Sequence, residues 1–352
     1  MSTPFRLLLV AALALPALAS ADVGIAAQDS GVDVRLRGIS AVDADVAWAS
    51  GREGTVLRTV DGGRHWQAVP VPEAGELDFR DIEAFDATTA VVLSIGPGPV
   101  SRVYRTEDGG RTWQLALQNR DPRAFFDCMA FEGERGWMLG DPVDGRFQVY
   151  ATDNGGRDWR LLDDGPPAVE GEAAFAASGT CIARLEGALL VATGGSTARL
   201  HMRTDGDRHW RSIDSGMGRG KPEAGVFSMA VLGDRMFVVG GDYKAETAPG
   251  NTATWHRTGP AEALVAPRGY RSGAACVEDG ATCIAVGPSG VDAWDGQAWR
   301  NVSDTGYDAI DLAGNVGWAS GDAGRIARIE LAPEDDPVDI EQANVGPGEA
   351  AD

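Results

Sequence analysis

The sequence is poor in the residues that most enzymes use for their chemistry. It holds four cysteines and four histidines in 352 residues, and the histidines are scattered without the spacing of a zinc site. It has no G-x-S-x-G nucleophile elbow, and its glycine-rich stretch GMGRGKPEAG matches neither the phosphate loop nor the dinucleotide fingerprint. We therefore expect no cofactor, no metal and no dinucleotide-dependent oxidoreductase.

Positive charge is also scarce. The chain has 31 Lys and Arg against 52 Asp and Glu, a formal net charge of -21. A surface of this sign repels phosphate backbones, so nucleic acid is excluded as an expected partner.

Apolar runs are missing except at the N-terminus. MSTPFRLLLVAALALPALASA combines one early cation, an apolar run of about a dozen residues and small residues at the end, which is typical of a secretory signal peptide. We assign residues 1–21 to a signal cleaved near Ala21, and expect a periplasmic or secreted protein without membrane insertion. Residues 333–352 carry seven acidic residues and no cation, which indicates a disordered acidic tail.

What the chain does have is a repeat. The peptides TVDGGRHW, TEDGGRTW, TDNGGRDW and TDGDRHW end at Trp66, Trp113, Trp159 and Trp210, and a fainter copy ends at Trp299. Intervals of about 40 to 50 residues made of short alternating segments are typical of β-propeller blades. Residues 22–332 are therefore predicted to be an all-β, seven-bladed β-propeller of four-stranded blades.

The ends of the chain predict how the ring closes. The seventh unit stops after its third strand, and an orphan segment, VDVRL at residues 32–36, precedes the first unit. We expect this segment to complete the last blade, since closure removes the open ends of a repeat array.

The repeated peptide lies between the third and fourth strands, where a metal loop, a ligand loop and a structural turn are all conceivable. Paired glycines permit the positive φ of a tight reversal, and the Asp can bond to turn amides. The Trp is expected to pack against its own blade, whereas calcium would require more oxygen ligands than the peptide offers. A structural turn is favoured, and it resembles the Asp-box of the bacterial neuraminidase (BNR) repeat, with structural residues Asp61, Trp66, Asp108, Trp113, Asn154, Trp159, Asp205 and Trp210.

Four cysteines in an exported chain allow two disulfides with three pairings. Cys276 and Cys283 flank a hairpin turn and should form a bridge. Cys128 and Cys181 are expected at equivalent inner-strand positions, in register with Ile39 and Ile82, where they are either bridged or free.

The Asp-box raises a sialidase-like or other glycoside hydrolase as the alternative function. Arg37, Arg80 and Arg271 lie at inner-strand starts and would serve as a carboxylate-binding triad. The early Arg-Ile-Pro signature of sialidases is absent, and that family has six blades.

Over the whole mature chain, units such as VAWASGREGTVLRTVDGGRHW and VGWASGDAGRIARI resemble the seven-bladed photosystem II stability and assembly factor-like proteins. The resemblance implies a non-catalytic propeller that binds other proteins. Together with the signal peptide it leads us to expect an exported, monomeric scaffold for a protein partner. In photosynthetic members an arginine-rich surface contributes to partner binding. Arginines recur here at two positions of the repeat: Arg58, Arg105, Arg203 and Arg257 in the third strand, and Arg64, Arg111, Arg157 and Arg208 in the turn.

Successive strands of a blade run in opposite directions. The repeated turns of all blades therefore lie on one face of the propeller, and the connections between blades lie on the other. Ligands of propellers usually occupy the second face, and the distinctive insertion GGDYKAETAPGN at residues 240–251 falls there. The candidate contact residues of this face are Arg37, Arg80, Asp81, Asp127, Asp141, Asp242, Tyr243, Lys244, Arg271, Tyr307, Asp308 and Asp322.

Overall fold

In the computed structural model of the chain, which describes residues 22–256, 259–277 and 282–332, seven antiparallel sheets form a closed ring. Each sheet is one blade, with strands termed A to D from the centre outward. Strand A of every blade contacts strand A of the next, and the seventh contacts the first. The predicted seven-bladed propeller is confirmed. The predicted signal peptide (1–21) and acidic tail (333–352) lie outside the described residues.

The first described strand is β1 (Val23–Gln28), which belongs to blade 7. The three blades that follow it along the chain have four strands each. Blade 1 has β2 (Leu36–Ala41), β3 (Ala47–Gly51), β4 (Val56–Thr59) and β5 (Gln67–Ala68). Blade 2 has β6 (Asp78–Ala84), β7 (Ala90–Ile95), β8 (Arg102–Thr106) and β9 (Gln114–Gln118), with a 3-10 turn at Gly98–Val100. Blade 3 has β10 (Phe126–Glu132), β11 (Arg135–Val143), β12 (Arg146–Thr152) and β13 (Arg160–Leu161).

Blades 4 and 5 are joined by extra pairing. Blade 4 has β15 (Ile182–Leu185), β16 (Ala188–Ala192), β18 (Arg199–Thr204) and β19 (Arg211–Asp214), and its two short segments β14 (Glu172–Ala173) and β17 (Gly194–Gly195) extend the sheet of blade 5. Blade 5 has β20 (Lys221–Leu232), β21 (Arg235–Asp242), β22 (Asn251–His256) and β23 (Ala261–Ala263). Blade 6 has β24 (Gly273–Cys276), β25 (Cys283–Gly287), β26 (Gly290–Trp294) and β27 (Trp299–Ser303), and blade 7 has β28 (Ala309–Ala313), β29 (Val316–Ser320) and β30 (Ile326–Leu331).

The ring closes through the N-terminal strand, but through a different segment from the predicted one. Strand β1 pairs with β30 in the register Val23 to Leu331 and Gln28 to Ile326, so it is strand D of blade 7. Val23 packs into the core between blades 6 and 7, which gives this segment an apolar anchor. The assignment of residues 32–36 as the closing strand is therefore wrong. That segment crosses from blade 7 to blade 1, where Gly324 N donates to Val34 O and Leu36 N donates to Gly321 O.

The inner strands are edge strands, and their free amides need acceptors. Side chains of the preceding blade supply them: Ser40 Oγ accepts from Ala84 N (3.1 Å), Ser228 Oγ from Ala274 N (2.9 Å) and Asp311 Oδ2 from Ala41 N (2.8 Å). This belt of hydrogen bonds links neighbouring blades next to the axis.

Both disulfides are present. Cys276 and Cys283 face each other across the β24–β25 ladder, and the hairpin residues 278–281 between them lie outside the described residues. The Cys128–Cys181 bridge joins blades 3 and 4 with 5.9 Å between the Cα atoms. Cys128 directly follows a β-bulge, as Asp81 does in blade 2, so the expected register with Ile82 is wrong by one residue.

The repeated peptide forms a tight turn stabilised by its own side chains. In blade 2, Thr106 Oγ1 accepts from Gly110 N (3.0 Å) and Asp108 Oδ1 accepts from Thr112 N (2.8 Å). Gly109 and Gly110 both have positive φ, which a side chain would strain. Gly109 N donates to Thr88 O in the loop between strands A and B, at the far end of strand A from the blade-to-blade connections.

The tryptophans of these turns do more than pack on their own blade. The indole N–H of Trp113 donates to Val69 O of blade 1, and that of Trp66 donates to Gln28 Oε1 of blade 7. Trp210 and Trp299 reach the preceding blade in the same way. The repeated Trp thus ties each of these blades to the one before it.

Candidate functional site

All seven blades contribute to one cavity of about 440 Å³ at the axis. It lies at the end of the inner strands opposite the repeated turns, among the connections between blades. Charged side chains and aromatic rings share its wall, together with apolar residues of the connections. Its lining residues are Arg35, Arg37, Arg80, Ile95, Phe125, Asp127, Asp141, Ala174, Phe175, Ala176, Ala177, Phe227, Tyr243, Glu246, Tyr270, Pro288 and Asp308.

Four of these side chains are aimed at the axis by the same backbone feature. Strand A has a β-bulge at Arg37 in blade 1, Arg80 in blade 2, Asp127 in blade 3 and Phe227 in blade 5. A bulge inserts one unpaired residue and re-aims its side chain. The bulges therefore turn equivalent positions of different blades toward one central space.

A single connection crosses this space. Residues 174–177, which lead into strand A of blade 4, are fastened to three other blades. Ala174 N donates to Asp141 Oδ1 (3.0 Å), Arg80 Nη1 donates to Ala176 O (3.0 Å), and Arg37 Nη2 donates to Ala177 O (3.2 Å). The segment forms one wall of the cavity, and Phe175 projects from it.

Phe175 belongs to an aromatic cluster. Its ring stacks on Phe227 with centroids 3.9 Å apart and planes 8° apart. Tyr270 and Tyr243 meet Phe227 edge-on, at 4.7 Å and 6.2 Å. Such edge-on pairs stabilise a defined arrangement of rings. This side of the cavity is therefore an apolar surface of mutually packed rings.

The basic side of the cavity is largely engaged. Arg35 forms two hydrogen bonds of 2.7 Å with the Asp308 carboxylate, which raise the pKa of Arg35. Burial, and then the neighbouring Arg80, lower the pKa of Arg37 to about 10, so Arg37 still carries its charge at neutral pH. Arg80 is also paired with Asp78 at 2.9 Å.

The acidic side consists of Asp127 and Asp141. Burial raises the pKa of Asp127 well above its usual value, and the adjacent Asp141 raises it further. Burial also raises the pKa of Asp141 to about 6. Asp127 Oδ2 has no hydrogen-bond partner.

A second acidic group lies further along the inner strands. Burial raises the pKa of Asp81 to about 8 and that of Asp311 to about 6. Burial and these two neighbours also raise the pKa of Glu83. Within the described ranges, no group of three or more potential ligands is arranged to hold a metal ion.

The twelve candidate contact residues predicted from the sequence lie in the cavity, in the connections of the same face or in the buried interior. Six line it: Arg37, Arg80, Asp127, Asp141, Tyr243 and Asp308. Asp242, Lys244 and Asp322 lie in or next to connections on the same face, where Asp242 pairs with Lys221 (3.1 Å). Asp81 and Tyr307 are buried.

Arg271 is buried because it lies out of register with the inner-strand residues that face the cavity. It precedes β24 by two residues and is fully enclosed, where it pairs with Asp292 and donates to Tyr270 O and Ser289 Oγ. Arg37, Arg80 and Arg271 therefore do not converge on a common ligand, as the glycoside hydrolase alternative requires.

Sequence reasoning found Tyr243 but missed Arg35 and the other members of the aromatic cluster, Phe175, Phe227 and Tyr270. One signal was present for Phe175, since the interval from Trp159 to Trp210 is longer than those before it. The additional residues form the connection that crosses the cavity.

The recurring arginines of the repeat lie by the turns. Arg58 Nη1 donates to Ala87 O, and Arg111 Nε donates to Asp108 O. Arg157 pairs with Glu107. Arg257 lies outside the described residues.

In the ranges that the structure describes, we find no helix with both the length and the apolar character of a membrane span.

No family model and no curated protein sequence matches the chain. Solved structures do resemble it. "YCF48 bound to D1 peptide" superposes with a TM-score of 0.63 at 14% identity, covering 91% of this chain and 100% of the other. "YCF48 from Cyanidioschyzon merolae" superposes with a TM-score of 0.62 at 16% identity, covering 87% and 98%. At these identities the likeness shows a shared propeller fold.

Proposed function

We propose that this protein is an exported, non-catalytic propeller that binds a protein partner and acts as an assembly or stability scaffold. The contact surface is the face that carries the central cavity. The observation that carries the proposal is the cavity itself, to which all seven blades contribute rings and charges. A solved propeller of the same fold is described as bound to a peptide, and the same use of the fold is what we propose for this chain.

The residues proposed to meet the partner are the exposed and partly exposed ones at the mouth. Tyr243 is 43% exposed and belongs to the aromatic cluster. Lys244 is next to it, with Nζ 6.0 Å from the ring centroid of Tyr243. Aromatic rings with polar tips are enriched at protein interfaces.

Export is part of the proposal. Two disulfides fit an oxidising compartment, and the N-terminal sequence has the form of a signal peptide. Cell fractionation with intact-mass analysis should find a mature chain beginning at Asp22 in the periplasm, and a full-length cytosolic chain would contradict this.

The scaffold function is tested by crosslinking in the native envelope followed by mass spectrometry. Tyr243→Ala should reduce the yield of a reproducible partner. Leu115→Ala, which truncates a similarly exposed side chain on the outer strand β9, is the matched control and should not. Turnover of a fluorogenic sialoside that disappears in Arg80→Ala would overturn the non-catalytic assignment.

A further inference from the structure

The acidic side of the cavity contains two carboxyl groups without a cationic partner. Asp127 is 1% exposed, lines the cavity, and has no hydrogen-bond partner at Oδ2. Asp141 lies on the same side and accepts one bond from a backbone amide. Among the described residues, the cavity's ion pairs involve other carboxyls, those of Asp308 and Asp78. Buried carboxyls in proteins are normally paired or fully hydrogen-bonded.

The arginines of the cavity do not supply the missing partner, because their hydrogen bonds go to groups other than Asp127 and Asp141. Arg35 is bound at both ends of its fork by Asp308. Arg80 bonds Asp78 and the carbonyl of Ala176. Arg37 donates through Nη2 to the carbonyl of Ala177, while its Nε atom has no partner. The group that the cavity lacks is therefore a cation on its acidic side.

The rest of the wall suits a cation carried on a long apolar stem. Phe125, Phe175 and Phe227 line the same space, and ring faces attract ammonium and guanidinium groups. The cavity volume of about 440 Å³ is many times that of a water molecule, about 30 Å³. A lysine or arginine side chain can enter it with its methylenes against the rings.

We propose that Asp127 and Asp141 form a receptor for a basic side chain, of lysine or arginine, which a protein partner inserts into the cavity along the propeller axis. The inference rests on the proposed function and specifies the chemistry of the partner. The inserted group donates to Asp127 Oδ2, and its positive charge favours the ionised form of both carboxyls, which burial alone disfavours. The strongly acidic character of the chain, with a formal net charge of -21, steers basic segments toward it.

Small probes test the receptor without the partner. Purified protein is titrated with Nα-acetyl-lysine N-methylamide, Nα-acetyl-arginine N-methylamide and the neutral norleucine counterpart, and binding is followed by saturation-transfer NMR. A basic probe should bind about tenfold or more tighter than norleucine, since hydrogen bonds to charged groups are worth about one to two decades in affinity.

Asp127→Asn and Asp141→Asn keep the side-chain shapes and should each weaken the basic probe by about tenfold. Asp163→Asn removes the same charge from an exposed position after β13 and should leave binding unchanged. Thermal unfolding of each variant verifies folding, and the two carboxyl variants serve as independent readouts if one is unstable. Equal binding of norleucine, or full binding by both carboxyl variants, would overturn the receptor.

The same variants separate this inference from the proposed function. If the partner still crosslinks to Asp127→Asn and Asp141→Asn at the wild-type level, the scaffold stands and the receptor does not. If the basic probe binds as expected while no partner crosslinks, the receptor stands and the scaffold does not.

Discussion

Replacing Asp81 by asparagine should stabilise the protein at alkaline pH. Burial raises the pKa of this carboxyl from 3.8 to about 8, and its Oδ2 atom accepts the Met129 amide at 2.5 Å. Asparagine keeps the acceptor and the shape but cannot ionise. The variant therefore removes the cost of placing a charge at this position between the inner strands.

The sign and size of the expected change in folding stability follow from proton linkage. An acid whose pKa is raised on folding binds more protons in the folded state between the two pKa values, so stability is greatest below the unfolded pKa and falls as pH rises. For Asp81 this window runs from about pH 4 to about pH 8. A shift of about 4 units corresponds to at most about 6 kcal/mol, with a slope of about 1.4 kcal/mol per pH unit.

Urea unfolding of the oxidised protein, followed by tryptophan fluorescence from pH 4 to 9 (about half-unit steps), measures this slope. Wild type should lose stability relative to Asp81→Asn through the window, and the difference should level off above about pH 8. The exposed Asp163→Asn is the control and should parallel wild type. If the profiles of wild type and Asp81→Asn are also parallel, ionisation of Asp81 does not destabilise the folded protein, contrary to this prediction.

Three further predictions concern stability. Cys128→Ala with Cys181→Ala opens a loop with a sequence separation of 53 and should cost about 4 kcal/mol, against about 2 kcal/mol for the short bridge in blade 6; urea unfolding measures both, and an equal loss would contradict the loop-entropy account. Asp292→Ala leaves Arg271 buried without its carboxylate and should cost about 3 to 5 kcal/mol, which thermal unfolding will detect; an unchanged midpoint would mean that water reaches the arginine. Deleting residues 22–28 removes β1 and should abolish the cooperative transition in calorimetry, and a retained sharp transition would show that the ring does not need this strand.

The blades could be predicted because each hairpin is encoded locally. Asp108, Gly109 and Gly110 shape one turn by short-range hydrogen bonds and positive φ. The spacing of the copies gives the length of one blade. The closing strand could not be assigned from the pattern, because VDVRL at residues 32–36 alternates in polarity whereas VGIAAQ at residues 23–28 does not. The choice depends on contacts with the far end of the chain, where Val23 meets Leu331.

The cavity was predictable only in part. The charges at Arg37, Arg80 and Asp127 stand out in the strand A starts, but the bulge that aims them has no distinct sequence mark. In the sequence Arg271 looks equivalent to Arg37 and Arg80, but it lies out of phase with them along strand A and is fully buried. Residues 174–177 belong to no repeat, so their path across the axis depends on bonds to other blades.

The claim that the cavity-bearing face meets a protein partner is tested most directly by site-specific photocrosslinking in the native envelope. A benzophenone amino acid is placed at Tyr243 on that face, 43% exposed, or at Val60 in a turn of the opposite face, 51% exposed. We predict a discrete adduct with the same partner from Tyr243 and none from Val60. An adduct from Val60 alone, or no adduct from Tyr243, would contradict it.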